Sequence, residues 1–322
     1  MRVLVAGGAG FVGSHLVERL VARGDEVTVI DNLITGSASN LAPVADRVTL
    51  VRSDAETAPD GWYDRIYHLA SPASPEAYSR HQIATLMANS AGTKRLLEIA
   101  ERCGSRFLLA STSEIYGDPL EHPQRETYWG NVDPIGPRSM YDEGKRFAEA
   151  LTVAYVRERG ADARIVRIFN SYGPRMQLND GRMPSTFIAA ALRGEPLPVH
   201  DGGAQTRSLC YVGDTVAGLV AAMEHGRPAE AYNIGRSEEV SVLEFARRVI
   251  EAAGSGSRIE SVPGRPQDIQ RRRPDTEKSE RELGWLPVTP LADGLRSTVD
   301  WYRRTLAASP SDAEELAGAG SS

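Results

Sequence analysis

Tyr141 and Lys145 stand four residues apart in a segment with helical periodicity, which puts a phenol and an ammonium on one helix face. A phenol ordinarily keeps its proton to about pH 10, and nearby cations favour the phenolate, so such a pair can supply a base near neutrality. Lys145 is one of only three lysines in a chain that otherwise uses arginine. Upstream, the string Ala110-Ser-Thr-Ser-Glu-Ile-Tyr-Gly117 ends an apolar strand in hydroxyls and one carboxylate. Strand ends of this kind form the ligand crevice of an open parallel sheet. Thr112 there reads equally as the partner of a substrate alcohol or as a turn cap, and Glu114 likewise. A third cluster, Gly7, Gly8, Gly10 and Gly13, fits Gly-x-x-Gly-x-x-Gly between an apolar strand and a helix. Glycines let the backbone approach a pyrophosphate closely, and the helix start offers unpaired N–H groups. Asp31 closes the following strand, where a carboxylate accepts from a ribose diol and repels a 2'-phosphate, although a strand-end turn also suits it. That chemistry favours NAD over NADP.

The elements that must position these groups follow from periodicity. Residues 3–6, 11–22 and 26–30 read as β-α-β. Further strands are expected at 48–51, 65–69, 107–110 and 165–168, separated by helices that include 83–103 and 139–159. The alternation predicts an α/β fold, a doubly wound parallel (Rossmann) sheet with helices on both faces. The Gly- and Pro-bearing stretch 171–205, with a helix at 185–193, leaves that alternation. A strand at 207–212, a helix at 214–224, a strand at 232–234 and a helix at 242–253 follow. The expected organisation is a nucleotide-binding unit over 1–169 to which 208–235 returns, a smaller discontinuous substrate unit from 170–207 and 236–306, and a flexible polar tail at 307–322.

The 37 basic and 43 acidic side chains leave a net charge of −6, so there is no basic surplus for nucleic acid or an anionic membrane. No run approaches the roughly 18 apolar residues of a membrane helix, and glycines break the N-terminal run too early for a signal peptide. Two cysteines, Cys103 and Cys210, suit a reducing cytoplasm and have no zinc-site spacing; no metal is expected.

With these residues in view, the chain resembles the extended short-chain dehydrogenase/reductase superfamily of nucleotide-sugar epimerases and dehydratases and, within it, the UDP-glucuronate decarboxylases. The strings that carry the resemblance include His68-Leu-Ala-Ser-Pro-Ala-Ser-Pro75, Thr112-Ser-Glu114, Tyr141-Asp-Glu-Gly-Lys-Arg146, Asn179-Asp-Gly-Arg182, Gln205-Thr-Arg207 and Arg272-Arg-Pro-Asp275. The resemblance implies tightly held NAD, oxidation of the C4 alcohol of UDP-glucuronate, loss of CO2 from the resulting β-keto acid, protonation at C5 and re-reduction to UDP-xylose. It makes Tyr141 the base and later the acid at O4, Lys145 its pKa tuner and ribose anchor, and Thr112 the hydroxyl partner. Glu114 and Arg207, with Ser113 nearby, would manage decarboxylation and C5 protonation. A guanidinium gripping the departing carboxylate would stabilise the ground state, so Arg207 fits the enolate or a water better, or else a phosphate. Tyr78, Asn170, Arg182, Arg207 and Arg272 form the implied substrate set. The implied cofactor set is Gly7, Gly10, Phe11, Val12, Gly13, Asp31, Asn32, Thr35, Gly36, Asp54, Ala55, Leu69, Ala70 and Ser71 together with Tyr141 and Lys145.

Met87 replaces a lysine that helps hold substrate in the family, which raises escape of a UDP-4-keto-pentose as an expectation. The family also implies a homodimer through helices near 91–103 and 141–156. Two other readings compete: a UDP-glucuronate 4-epimerase, which has no need of Glu114, and an NAD-binding regulatory or scaffold protein, which has no need of Thr112, Tyr141 and Lys145 together. A 4,6-dehydratase fits less well, since it usually carries Asp-Glu where this chain has Ser113-Glu114.

Overall fold

The computed structural model describes residues 1–178, 180–264 and 271–308. Asn179 and the 309–322 part of the expected tail lie outside the described residues.

Short apolar runs become strands: β1 (Arg2–Ala6), β2 (Glu26–Asp31), β4 (Arg65–His68), β5 (Arg106–Thr112) and β6 (Ala163–Ile168) are largely buried, and β3 (Val48–Arg52) is an exposed edge. With the strand Ala231–Ile234 they form one seven-stranded sheet, ordered Ala231–Ile234, β6, β5, β4, β1, β2, β3, with every pairing parallel. Strand order reverses at β1, between β4 and β2, so the connections diverge there and open a crevice at the strand C-termini. One face is covered by α1 (Phe11–Ala22) and the helix Val212–His225, through Leu16, Val17, Leu20, Leu219 and Met223. The other face takes Leu96, Leu97 and Ile99 from α4 (Thr93–Cys103) and Ala148 from α5 (Ser139–Arg159).

Before α4 come α2 (Pro75–Arg80), capped by Ser74, and α3 (Gln82–Met87). A single helix expected over 83–103 is instead interrupted by a π-turn at Ala88–Gly92. There Asn89 is buried and donates to both Thr85 O (2.8 Å) and Ser71 Oγ (2.9 Å), so the widened turn seats a polar side chain against the loop after β4.

A separate core lies where the alternation stops. It joins α6 (Met183–Arg193) to the helices Val242–Ala253 and Leu291–Ala308 through Phe187, Ile188, Phe245, Val249, Leu295, Val299 and Tyr302. Short paired strands, Thr206–Ser208 with Glu239–Ser241 and Ser171–Tyr172 with Cys210–Tyr211, connect this region to the sheet. The segment around Leu283 and Trp285, expected in the second unit, packs into the first core instead. Trp285 Nε1 donates to Asp214 O (3.1 Å) and its ring lies against Gly218.

Candidate active site

The crevice begins at the glycine loop. Gly7 has φ +81°, and a Cβ there would meet Ala70 N at 2.6 Å; one on Gly13 would meet Gly7 O at 2.0 Å. Glycine is therefore a geometric requirement at both positions. Gly10 caps α1 without a side-chain hydrogen bond, so the first-turn N–H groups face an open cradle suited to a pyrophosphate. Each Asp31 carboxylate oxygen takes one backbone N–H, from Ala9 and Leu33 (both 2.9 Å), which leaves acceptor capacity for a ribose diol. Burial raises its pKa. Gly36 keeps that carboxylate accessible, since a Cβ there would sit 2.9 Å from Asp31 Oδ1. Asn32, Asp54, Ala55 and Ala70 line the same end; Thr35, Leu69 and Ser71 continue it toward Phe11, Val12 and the catalytic side. The cradle, the uncapped helix start and the spare acceptors fit NAD.

Thr112 caps a turn and also lines the cleft beside Tyr141. Its hydroxyl accepts from Glu114 N (3.2 Å) as the cap of a short 3-10 turn, and it lies close enough to Tyr141 to favour the phenolate. Burial, then the Glu114 charge, hold the Tyr141 proton on well above the ordinary phenol range; Thr112 and Arg182 oppose them. Lys145 does not aim at the phenol. Its Nζ donates to Ala110 O (2.8 Å) and lies 6.0 Å from the Tyr141 ring centre, and burial lowers its pKa to about 7. Within the protein, Thr112 and Arg182 pull the phenol toward release of its proton, while Lys145 is held at the Ala110 carbonyl.

Beyond Tyr141 the cleft meets a second space. Glu114, Asn170 and Arg182 line both, and Arg138, Arg207 and Arg272 line the far one. Arg182 is paired with Asp180 and lies over Phe11. Ser113 is buried on the cofactor side. Glu114 receives Arg272 at 3.4 Å on one oxygen and Arg138 at 3.6 Å on the other. Arg272, expected in the substrate set, is buried with Nε unpartnered and pairs with this carboxylate.

The model of the NAD dependent epimerase/dehydratase family matches residues 3–235. The chain belongs to that family. Among its relatives is UDP-glucuronic acid decarboxylase 1 of Xenopus tropicalis, 48% identical over 95% of this chain and 73% of that protein. UDP-glucuronic acid decarboxylase 3 of Arabidopsis thaliana is 50% identical over 95% of this chain and 90% of that one. A dTDP-glucose 4,6-dehydratase from Streptomyces venezuelae, solved with NAD and TYD bound, superposes with a TM-score of 0.85 at 33% identity, covering 95% of this chain and 98% of its own.

Two positions of this family member depart from expectation. Tyr78 is 1% exposed, absent from the walls of both spaces, and stacked on Tyr141 (5.0 Å between centres, 11° between planes). It backs the Tyr141 ring rather than facing the cleft. Met87 is 39% exposed on α3 and lines neither space, so the missing lysine leaves no methionine against the sugar end. Sequence reasoning missed Arg138 and Asp142. They flank Tyr141 one turn apart at the start of α5, and that spacing was the signal available.

Proposed function

We propose that this chain converts UDP-glucuronate to UDP-xylose and CO2. The observation that carries the reading is Glu114, held by two arginines at the junction of the two spaces and two residues past Thr112, where C5 of a sugar bound at Tyr141 would lie. The names of the relatives support the same substrate. Gly7, Gly10, Gly13 and Asp31 hold the cofactor; NAD, when bound, takes up and returns the electron pair of the C4 oxidation. Tyr141 accepts the O4 proton while Thr112 orients that oxygen. The ketone at C4 stands β to the C6 carboxylate, which leaves as CO2. Arg207 serves the enolate or a water, since a grip on the carboxylate would oppose its departure. Glu114 protonates C5, and Tyr141 returns its proton to O4. Residues from Asn170 to Arg207, with Val242 and Arg272, provide the described part of the nucleotide-sugar wall.

We also infer a homodimer and a reducing cytosolic setting. Ile83, Met87 and Phe147 leave an exposed apolar face on α3 and α5, and both cysteines are free thiols. No described helix is long and apolar enough to cross a membrane.

The test is mass-resolved chromatography after incubation with UDP-glucuronate, with and without added NAD. A UDP-pentose with matching CO2 is expected. An isomer of unchanged mass would make the chain a 4-epimerase and Glu114 a cap. A UDP-4-keto-pentose peak with NADH would show that part of the oxidised intermediate escapes.

A further inference from the structure

Replacing a carboxylate by hydrogen takes up one proton: R–COO⁻ + H⁺ → R–H + CO2. Tyr141 cannot supply it, because the proton it takes from O4 goes back to O4. The proton at C5 must therefore enter from water, yet a bound nucleotide sugar would fill the cleft.

Asp142 offers a route. Its side chain lies within hydrogen-bonding reach of Glu114, although both groups are ordinarily acceptors. Asp142 Oδ1 and Glu114 Oε2 are both buried without a hydrogen bond of normal length, the Arg138 guanidinium standing 3.6 Å from Glu114 Oε2, and Asp142 is 6% exposed. Two carboxyls this close favour sharing a proton, with Arg138 and Arg272 offsetting part of their repulsion. They also face different spaces. Glu114 lines the sugar cleft, whereas Asp142 lines an outer depression with Gly117, Asn131, Gly136, Arg138 and Arg272. The pair thus spans the wall between them, and the two arginines are common to both sides.

We propose that Asp142 is the proton source for Glu114, so that the carboxyl pair relays a solvent proton from the outer depression to C5. The proposal rests on the decarboxylase reading. The C5–C6 bond breaks, its electron pair enters the enolate, and CO2 leaves. The enolate pair then forms the C5–H bond with the Glu114 proton. Glu114 takes the Asp142 proton, and Asp142 takes one from water. Burial first, and Glu114 second, raise the pKa of Asp142, which keeps a proton available near neutrality. The charged and titratable groups facing it are Glu114 on the 3-10 turn, Arg272, Tyr78 on α2, Arg138 and Tyr141 at the start of its own helix, and Asp118 and Asp133 around the outer depression.

The test follows CO2 and UDP-xylose separately in one reaction, with the full chain, NAD and UDP-glucuronate, across pH. Wild type should lose kcat on the alkaline side as the pair loses its shared proton. Asp142→Asn should slow UDP-xylose formation about 10²-fold at unchanged KM. CO2 should then outrun UDP-xylose, the difference should appear as UDP-4-keto-pentose, and the alkaline limb should vanish; Asp142→Glu should recover most of the rate. CO2 and UDP-xylose falling in step with an unchanged pH profile would overturn the relay. So would a wild-type profile with no alkaline limb, which needs no variant to fold. A wild-type chain that releases no CO2 overturns the decarboxylase reading and the relay with it.

Discussion

Tyr141 rests with its proton held on by burial and by the Glu114 charge, while Thr112 and Arg182 pull the other way. A base placed like this works when a cation arrives with the cofactor, so the phenol matters for chemistry and its ring for packing on Tyr78. Tyr141→Phe keeps the ring and removes the acceptor: UDP-xylose formation should fall roughly 10²–10⁴-fold. NAD binding, read by quenching of intrinsic fluorescence, should persist. Turnover that survives would remove Tyr141 from the role of base and favour a scaffold protein. At the glycine loop, Gly13→Ala would drive a Cβ to 2.0 Å from Gly7 O, a backbone atom that cannot swing away. The strain should cost about 1–3 kcal/mol and reduce the thermal shift that NAD produces. A melting curve equal to wild type with and without NAD would show that the loop yields.

Helical spacing alone located α1, α5 and Val242–Ala253 to the residue, because each has a continuous apolar stripe and a cap or stop at its ends. The helix Leu291–Ala308 escaped notice. Its buried positions Leu295, Val299 and Tyr302 are diluted by charged neighbours, and only the facing α6 and Val242–Ala253 make a stripe of them. The π-turn at Ala88–Gly92 escaped for a different reason: its cause is Asn89 reaching Ser71, 18 residues away. Trp285 ties the late chain to the first core, so Trp285→Ala should destabilise by about 3–5 kcal/mol in urea unfolding. A loss under about 1 kcal/mol would mean that this segment merely lies on the sheet unit. If the proposed homodimer uses the exposed face of α3, Ile83→Asp should halve the mass seen by light scattering, and a mass unchanged from wild type would take that face out of the proposal.

Across the whole molecule, two buried groups make stability depend on pH in opposite senses. Folded Asp142 keeps its proton from its ordinary 3.8 up to about 8, where the unfolded chain has released it, so this contribution is lost as pH rises through that window. Folded Lys145 is neutral above about 7, while the unfolded lysine stays charged to about 10.5, so stability is gained between those values. Urea midpoints of Asp142→Asn should therefore fall less steeply from pH 4 to pH 8 than those of wild type. Parallel curves would show that the folded carboxyl titrates like a free one.

Local spacing determined the parallel α/β alternation, the glycine turn, the acidic strand end and the Tyr-Lys helix face, because each depends on dihedral preferences and repeats within a few residues. Resemblance then attached a chemistry to those residues. Tertiary structure alone decided that Arg272, 158 residues from Glu114 along the chain, pairs with it. It also turned Tyr78 behind Tyr141 and brought the Asp142 carboxyl against Glu114 across the wall of the cleft. Such contacts depend on strand order and on which helix faces meet, and on the burial that results, so charge, protonation and access at this site are properties of the packed molecule rather than of any one segment.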